Sequence, residues 1–298
     1  MEARARFNAL ALPPLLLISI IALIVLALLL ASLEAFSKLG LGVYLGNRWS
    51  PYEDVYGGFA AIYGSLVVTA IAVGLAMPLA LSMAVFSNEF SPRWLRPVLV
   101  NVGDLIASFP AVLFGLWGLL SLAPLLKGTL FSWLYGQLGW IPLFSTRPYG
   151  PSYLLASLVL AIMITPFASS LIREAYAQAP RAMVEGVYAL GLGKWEAIRV
   201  TLAYTRAQVL GGLALALGRA MGETVAVAMT VGGAFNVSAS LLAPGLTIPA
   251  LIVNQFGSSY YPSLQASALF SLALLLFLLG LGLLTLFKRI LGGGGGAG

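Results

Sequence analysis

Six apolar runs lie near residues 10–33, 57–87, 98–124, 152–172, 207–235 and 263–287. At about 1.5 Å of rise per residue, each is long enough to cross roughly 30 Å of hydrocarbon. Lipid offers the backbone no water, so only helices or closed barrels can span it. Barrel strands alternate apolar and polar residues, and these runs do not. The chain is 60% hydrophobic and 9% charged, where soluble domains carry roughly 25% charge. The expectation is an all-α membrane protein with six spans. Cysteine and histidine are absent. That removes any disulfide framework or thiolate site, the commonest metal ligand and the commonest proton shuttle.

An even number of crossings puts both termini on one side, and basic residues decide which. Placing the termini inside gathers Arg4, Arg6, Arg93, Arg96, Arg173, Arg181, Lys194, Arg199, Arg206, Lys288 and Arg289 in the cytoplasm. It leaves only Lys38, Arg48, Lys127 and Arg147 outside. The formal charge of +6 is thus a topology signal and implies no nucleic-acid partner. Arg4 and Arg6 ahead of an apolar run resemble the start of a signal peptide. The run continues to Leu33, beyond the roughly 7–15 residues of such a segment, and reads as the first span. The expected organisation is a first span and outer loop over 1–56, a helical core over 57–287 and a flexible glycine-rich tail over 288–298. Pro78 and Pro110 lie deep in the second and third spans, where each predicts a kink.

Arg219 and Glu223 are the only charges between Ala207 and Phe235. Inserting either ion costs about 2.5–3.5 kcal/mol on translocon scales. In a continuous helix they share a face and pair. The plainer reading is a buried pair that fixes helix orientation. The functional one is a polar wall of a pathway, where a guanidinium grips phosphate or carboxylate oxygens in a fork. Gly218 and Gly222 form a small-x-x-x-small pair, read as close helix packing. Asp104 is a further embedded charge, about two turns into the third span. It serves the pathway, or it meets water or a local partner.

The longest cytoplasmic loop, residues 173–206, holds apolar residues at helical spacing over Ala182–Leu190 and again over Trp195–Leu202, with Gly191 and Gly193 between. Two short helices around a glycine turn follow, with Met183, Val187 and Leu190 on one face of the first. Tyr188 and Trp195 point to a docking surface for another protein, or to a loop that folds back on the bundle. "LGLGKWEA" contains Gly-Lys followed by Trp195, and Tyr188 stands where a phosphate-cradling loop needs glycine. Any ATPase therefore resides on a separate chain.

"EGVYALGLGKWEAIRVTLAY" resembles the EAA loop of ABC importer permeases, the segment that docks into the ATPase, with Glu185 and Gly191 at the family spacing. "LGRAMGETVAVAMTVGG" resembles the GRALGETMAV stretch of PstC-type phosphate permeases. The sister PstA type has alanine and proline soon after the GET, where Val225 and Ala226 stand here. "FPAVLFGLWGLLSLAP" resembles the family's IPSVVYGLWG segment, and "IYGSLVVTAIAVGLAMPLALSMAVF" its second helix. Together these matches cover most of residues 50–290. The chain departs from the pattern at Glu185-Gly186-Val187, where the family often has Glu-Ala-Ala, and at Ala203-Tyr204, where it has a Leu-Pro that helps end the coupling segment.

The resemblance implies a six-helix, type I, MetI-like permease in the cell membrane with both termini cytoplasmic. It implies a PstA-like second permease, a PstB-like ATPase dimer and a PstS-like extracytoplasmic phosphate-binding protein. ATP and Mg would belong to the ATPase; no cofactor is expected on this chain, and no enzymatic chemistry. Candidate pathway residues are Arg219, Glu223, Thr224 and Asp104. Candidate ATPase contacts are Glu185, Tyr188, Ala189, Gly191 and Trp195. The binding protein would dock on outer loops around 36–56, 125–150 and 236–262. The apolar segment from Ala243 to Pro262 is expected as a surface helix, a re-entrant piece or a lid. Two rivals stand beside this reading: an ion-coupled secondary anion transporter using Asp104 and Glu223 as coupling groups, and an ABC permease for molybdate or sulfate.

Overall fold

The computed structural model describes residues 2–260 and 263–292, and the side chains of 13–260, 263–286 and 289. The rest of the expected glycine tail, residues 293–298, lies outside them, as do Tyr261 and Pro262. In chain order the helices are α1 (Glu2–Leu39), α2 (Gly42–Leu45), α3 (Phe59–Val85), α4 (Leu95–Ala107), α5 (Ala111–Trp117), α6 (Ala123–Leu126), α7 (Ser132–Leu138), α8 (Tyr153–Ala177), α9 (Arg181–Ala189), α10 (Lys194–Tyr204), α11 (Arg206–Met221), α12 (Val225–Thr230), α13 (Ile248–Phe256) and α14 (Leu264–Gly292). Two short strands, β1 (Trp49–Ser50) and β2 (Val55–Tyr56), pair antiparallel.

Among the described residues, Pro13–Leu39, Phe59–Phe90, Ala111–Leu138, Tyr153–Ala177 and Leu264–Leu286 are long and apolar enough to cross a membrane. The bent pair α10–α11 supplies a sixth crossing if taken together. This is a multi-pass membrane protein. Leu15, Ile18, Leu23, Leu26 and Leu30 of α1 are all exposed, and a helix that is apolar all round suits lipid.

Chain contacts divide the molecule into two units. The first comprises residues 1–59 and 252–278. Here Ala35, Val43, Tyr56 and Ala268 form a small core, and the Ala35 amide donates to Ser267 Oγ at 2.9 Å. Burial, reinforced by its hydrogen bond to Asp54, pushes the Tyr56 hydroxyl up to about 12.

The second unit comprises, of the described residues, 60–251 and 279–292. Its centre is α8, more enclosed than any other candidate span. Ala80 and Ala84 of α3, Ala168, Ile172 and Ala175 of α8, and Val209, Leu213 and Ala216 of α11 make one buried cluster. Small side chains let the helices approach closely, which drives association where lipid is as apolar as the interface.

Two expected spans are not continuous. The third, expected over 98–124, is α4, then a break at Ser108–Pro110, then the crossing Ala111–Leu138. Pro110 has φ −57° and ψ 132° and precedes the first turn of α5, so it ends one helix and starts the next instead of kinking one. The crossing then runs through π-turns at Gly118–Leu122 and Lys127–Phe131. The fifth, expected over 207–235, stops at Met221 and restarts at Val225. Pro78 stays inside an unbroken α3.

A bend of 68° separates α10 from α11, at the point where the family proline is missing. Tyr204 stands at the proline position, and Thr205 follows it at the bend itself. Thr205 is fully buried, and its hydroxyl donates to the Thr201 carbonyl at 2.9 Å, a side-chain bond that bends helices.

Gly218 and Gly222 do not make the expected close packing within this chain. A methyl added at Gly218 meets nothing within 4 Å, and at Gly222 only its own helix's carbonyls at 3.7 and 3.8 Å. The close approach is at Gly212, where a methyl would lie 2.9 Å from Leu171 Cβ on α8. Gly212→Ala is therefore expected to destabilise the detergent-solubilised chain by about 1–3 kcal/mol through overpacking. Gly218→Ala is expected to be neutral or to stabilise by up to about 1 kcal/mol. Thermal unfolding midpoints distinguish the two; equal shifts would contradict this packing.

Candidate functional site

Arg219 lies in the last turn of α11, where a cation complements the negative end of the helix dipole. Its guanidinium reaches sideways. Nη2 donates to the Ala107 carbonyl at 3.4 Å, and Cζ sits 4.7 Å from the centre of the Phe167 ring. Ala107 is the last residue of α4, so its carbonyl lacks an intrahelical partner. Arg219 thus ties α11 to the end of α4 and to the face of α8.

The chain then leaves the helix for three residues. Gly222 and the polar Glu223 and Thr224 favour such a break. Glu223 Oε1 accepts from the Ala226 amide at 3.3 Å, covering one of the open donors at the start of α12. Thr224 Oγ1 donates to the Gly222 carbonyl at 3.1 Å. The expected Arg219–Glu223 ion pair does not form: Arg219 holds the Ala107 carbonyl and Glu223 the Ala226 amide. An i,i+4 pair requires an unbroken helix, and the break carries Glu223 away from the face of Arg219. Beside Glu223, the hydroxyl-bearing Ser65, Thr69 and Thr247 line a cavity of about 10 Å³, the space of about one water.

After α12 the chain reverses through Gly232 and Gly233, with φ of +101° and +69°. The apolar segment that begins at Ala243 carries the helix α13, with Ala243, Leu246, Ile248 and Leu251 buried and Val253, Phe256 and Tyr260 exposed. The Ile248 amide donates to Ser65 Oγ at 2.8 Å, and Tyr153 Oη donates to the Asn236 carbonyl at 2.6 Å.

Asp104 is not part of this group. It pairs with Arg173 Nη2 at 3.6 Å, with 56% of its own side chain exposed, so the local partner foreseen as the plainer reading is what the structure holds. Screened pairs of this kind contribute about 0–1 kcal/mol.

A second surface is built by α9 and α10. The expected helix–glycine–helix arrangement is present, and Gly191 turns the chain at φ +76°. Val187, Ala197, Ile198 and Thr201 are buried, so part of the loop does fold back. Leu190 does not join the Val187 face; it follows the last residue of α9 and is 79% exposed. Glu185, Tyr188, Ala189, Gly191 and Trp195 are all exposed, and with Leu190 and Leu192 they make an apolar, projecting edge.

Residue reading alone missed Ala107, Phe167 and Thr205. Ala107 acts through its carbonyl and leaves no signal in sequence. Phe167 is one aromatic among many in an apolar run. Thr205 stood where the family pattern has proline nearby, and that was its one available signal.

The capping role of Glu223 is directly testable. Glu223→Ala is expected to cost about 1 kcal/mol of stability, and Glu223→Gln, which keeps an acceptor oxygen, markedly less. Thermal unfolding in detergent reads this; identical losses for both variants would contradict the cap.

A scan against protein-family models finds no match. Among curated proteins, the chain is 39% identical over 281 residues to the probable phosphate transport system permease protein PstC of Methanocaldococcus jannaschii, spanning 92% of this chain and 89% of that one. It is 39% identical over 289 residues to the PstC of Xylella fastidiosa, spanning 93% and 89%, and 37% identical over 273 residues to that of Mesorhizobium japonicum, spanning 90% and 83%. Among solved structures, a chain of the inward-facing MetNI methionine ABC transporter superposes with a TM-score of 0.57 at 16% identity, covering 78% of this chain and 94% of that one. The fold is therefore that of a MetI-like ABC importer permease, and at this level of identity to the curated relatives the chain belongs to the PstC family of phosphate transport system permeases.

Proposed function

We propose that this chain is a transmembrane permease subunit of an ATP-driven importer of inorganic phosphate, set in the cell membrane with both termini in the cytoplasm. The observation that carries this reading, beside the family, is the state of Arg219. Its guanidinium rests on one carbonyl at 3.4 Å and one ring face, and no carboxylate among the described residues neutralises it. Phosphate oxygens can take the place of the carbonyl without breaking an ion pair. They then receive charge-assisted, forked hydrogen bonds that offset part of the anion's lost hydration.

Release follows from the same geometry. Ala107 ends α4, which is separated from the next crossing at Pro110. A shift of α11 against α4 changes how far the guanidinium is returned to its carbonyl, and therefore how tightly it holds an anion. Alternating access requires such a difference in affinity between states. Glu223 and Thr224 hold the break open beside it.

The partners in this reading are a PstA-like permease, a PstB-like ATPase dimer and a PstS-like phosphate-binding protein on the outer loops. The exposed edge at Glu185, Tyr188, Ala189, Gly191 and Trp195 would meet the ATPase, which holds ATP and Mg²⁺. No covalent step occurs on this chain.

Phosphate uptake into vesicles holding the complete complex, with binding protein supplied and with or without internal ATP, tests the proposal. Uptake is expected to require ATP and to fall about tenfold or more in Arg219→Leu, the loss of charged hydrogen bonds, with partial activity in Arg219→Lys. ATP-dependent uptake that survives Arg219→Leu would return Arg219 to a structural role. Uptake that ignores ATP and follows an ion gradient would leave a secondary transporter, and preferential competition by sulfate or molybdate would change the substrate.

A further inference from the structure

The second crossing does not end as a plain α-helix. After Val85 it closes with a π-turn over Phe86–Phe90, reading FSNEF. Turns of this kind concentrate at functional positions. This one is tied to three other helices within five residues. Asn88 donates to the Arg173 carbonyl of α8 at 3.5 Å and accepts from Arg96 of α4 at 2.6 Å. Glu89 Oε1 accepts from the Tyr176 hydroxyl of α8 at 2.8 Å, and the Glu89 carbonyl accepts from Lys194 Nζ of α10. The Phe90 ring lies 5.8 Å from the Trp195 ring, and Lys194 Nζ stands 4.3 Å above the Phe90 ring.

Lys194 and Trp195 are the first two residues of α10, next to the exposed edge of the loop. The loop has two covalent routes into the bundle, from α8 through residues 178–180 into α9 and through the bend at Thr205 into α11. The FSNEF turn adds a non-covalent route, into α3, which neither of them reaches. Tyr176 is nearly fully buried, so its hydroxyl needs a partner there, and Glu89 supplies it. The two bonds to Glu89 therefore fix the start of α10 and the end of α8 to a single residue of the turn.

We infer that the FSNEF turn is a transmission joint between the α9–α10 loop and the second crossing, with Glu89 as its positioning residue. This rests on the reading of the chain as an ATP-driven permease. Phosphate never touches Glu89; its carbonyl ties the turn to α10, and its side chain makes α8 follow the turn. A joint of this kind governs how much transport each ATP delivers, whereas a purely structural contact governs only how much complex assembles.

The test uses the complete complex in liposomes, with ATP hydrolysis and phosphate uptake measured on the same sample. In the unaltered complex, ATP-dependent uptake must appear; its absence defeats the transporter reading itself. With that in hand, Glu89→Ala and Tyr176→Phe are expected to assemble and hydrolyse ATP, while phosphate moved per ATP falls about fivefold or more, the scale of a typical coupling energy. Glu89→Gln keeps an acceptor for Tyr176 and is expected to restore most of that ratio. Should Glu89→Ala fail to assemble, Tyr176→Phe, which deletes one oxygen and keeps the ring, decides alone. An unchanged ratio in Tyr176→Phe, or a Glu89→Gln ratio as low as that of Glu89→Ala, overturns the joint and leaves the transporter reading intact.

Discussion

A helix that breaks inside lipid exposes amides and carbonyls where water is absent, and each unsatisfied group there costs several kcal/mol. That constraint organises the site. The chain breaks after Ala107 and again after Met221, and each break leaves open groups next to the other. Arg219 answers the first by donating to the Ala107 carbonyl. Glu223 answers the second by accepting from the Ala226 amide. Each charge sits at the helix end it complements, cation at a C-terminus and anion at an N-terminus. This explains why two ions stay in so apolar a stretch without pairing: each is bound to broken backbone, and leucine at either position would leave an open group behind.

The same arrangement makes the site usable. A guanidinium held in a tight carboxylate pair has to give up that pair to bind an anion. A guanidinium resting on a carbonyl and an aromatic face gives up much less. On the proposed reading it is desolvated enough to attract phosphate and would be held weakly enough to let go when the helix ends separate. The broken helices are also what allows such separation, because a continuous span resists a change of shape that two short helices joined by three residues absorb easily.

Most of the fold was legible in the sequence because apolarity over twenty residues is a strong signal and lipid leaves few alternatives. The crossings at Phe59–Phe90, Tyr153–Ala177 and Leu264–Leu286 fall where the apolar runs place them. The helix–Gly191–helix loop does too, since glycine punctuation reads locally. Continuity was not legible. Hydropathy measures how well a residue sits in lipid and is blind to whether its neighbour continues the helix. Pro110 was therefore read as a kink, and Gly222-Glu223-Thr224 as one more helical turn. The Arg219–Glu223 pair and the Gly218–Gly222 packing both depended on that turn, and both fell with it. Ala107 and Phe167, which define the environment of Arg219, come from chain positions more than fifty residues away, and no local pattern announces them.

Thr205 shows how a bend forms without the family proline, whose position Tyr204 holds. A proline at the end of the coupling segment bends a helix by removing a donor and adding a clash. Here two backbone bonds meet at the bend: the Thr205 amide reaches the Thr201 carbonyl and the Val209 amide reaches the Thr205 carbonyl, both at 2.9 Å. The Thr205 hydroxyl donates to the same Thr201 carbonyl, a bond that favours a bend, and the axis turns by 68° between α10 and α11. Both bonds meet at Thr205, which joins the end of α10 to the start of α11. On the proposed reading, force applied at the exposed start of α10 would pass Thr205 to reach Arg219 at the far end of α11, whose contact with Ala107 would set how firmly an anion is held.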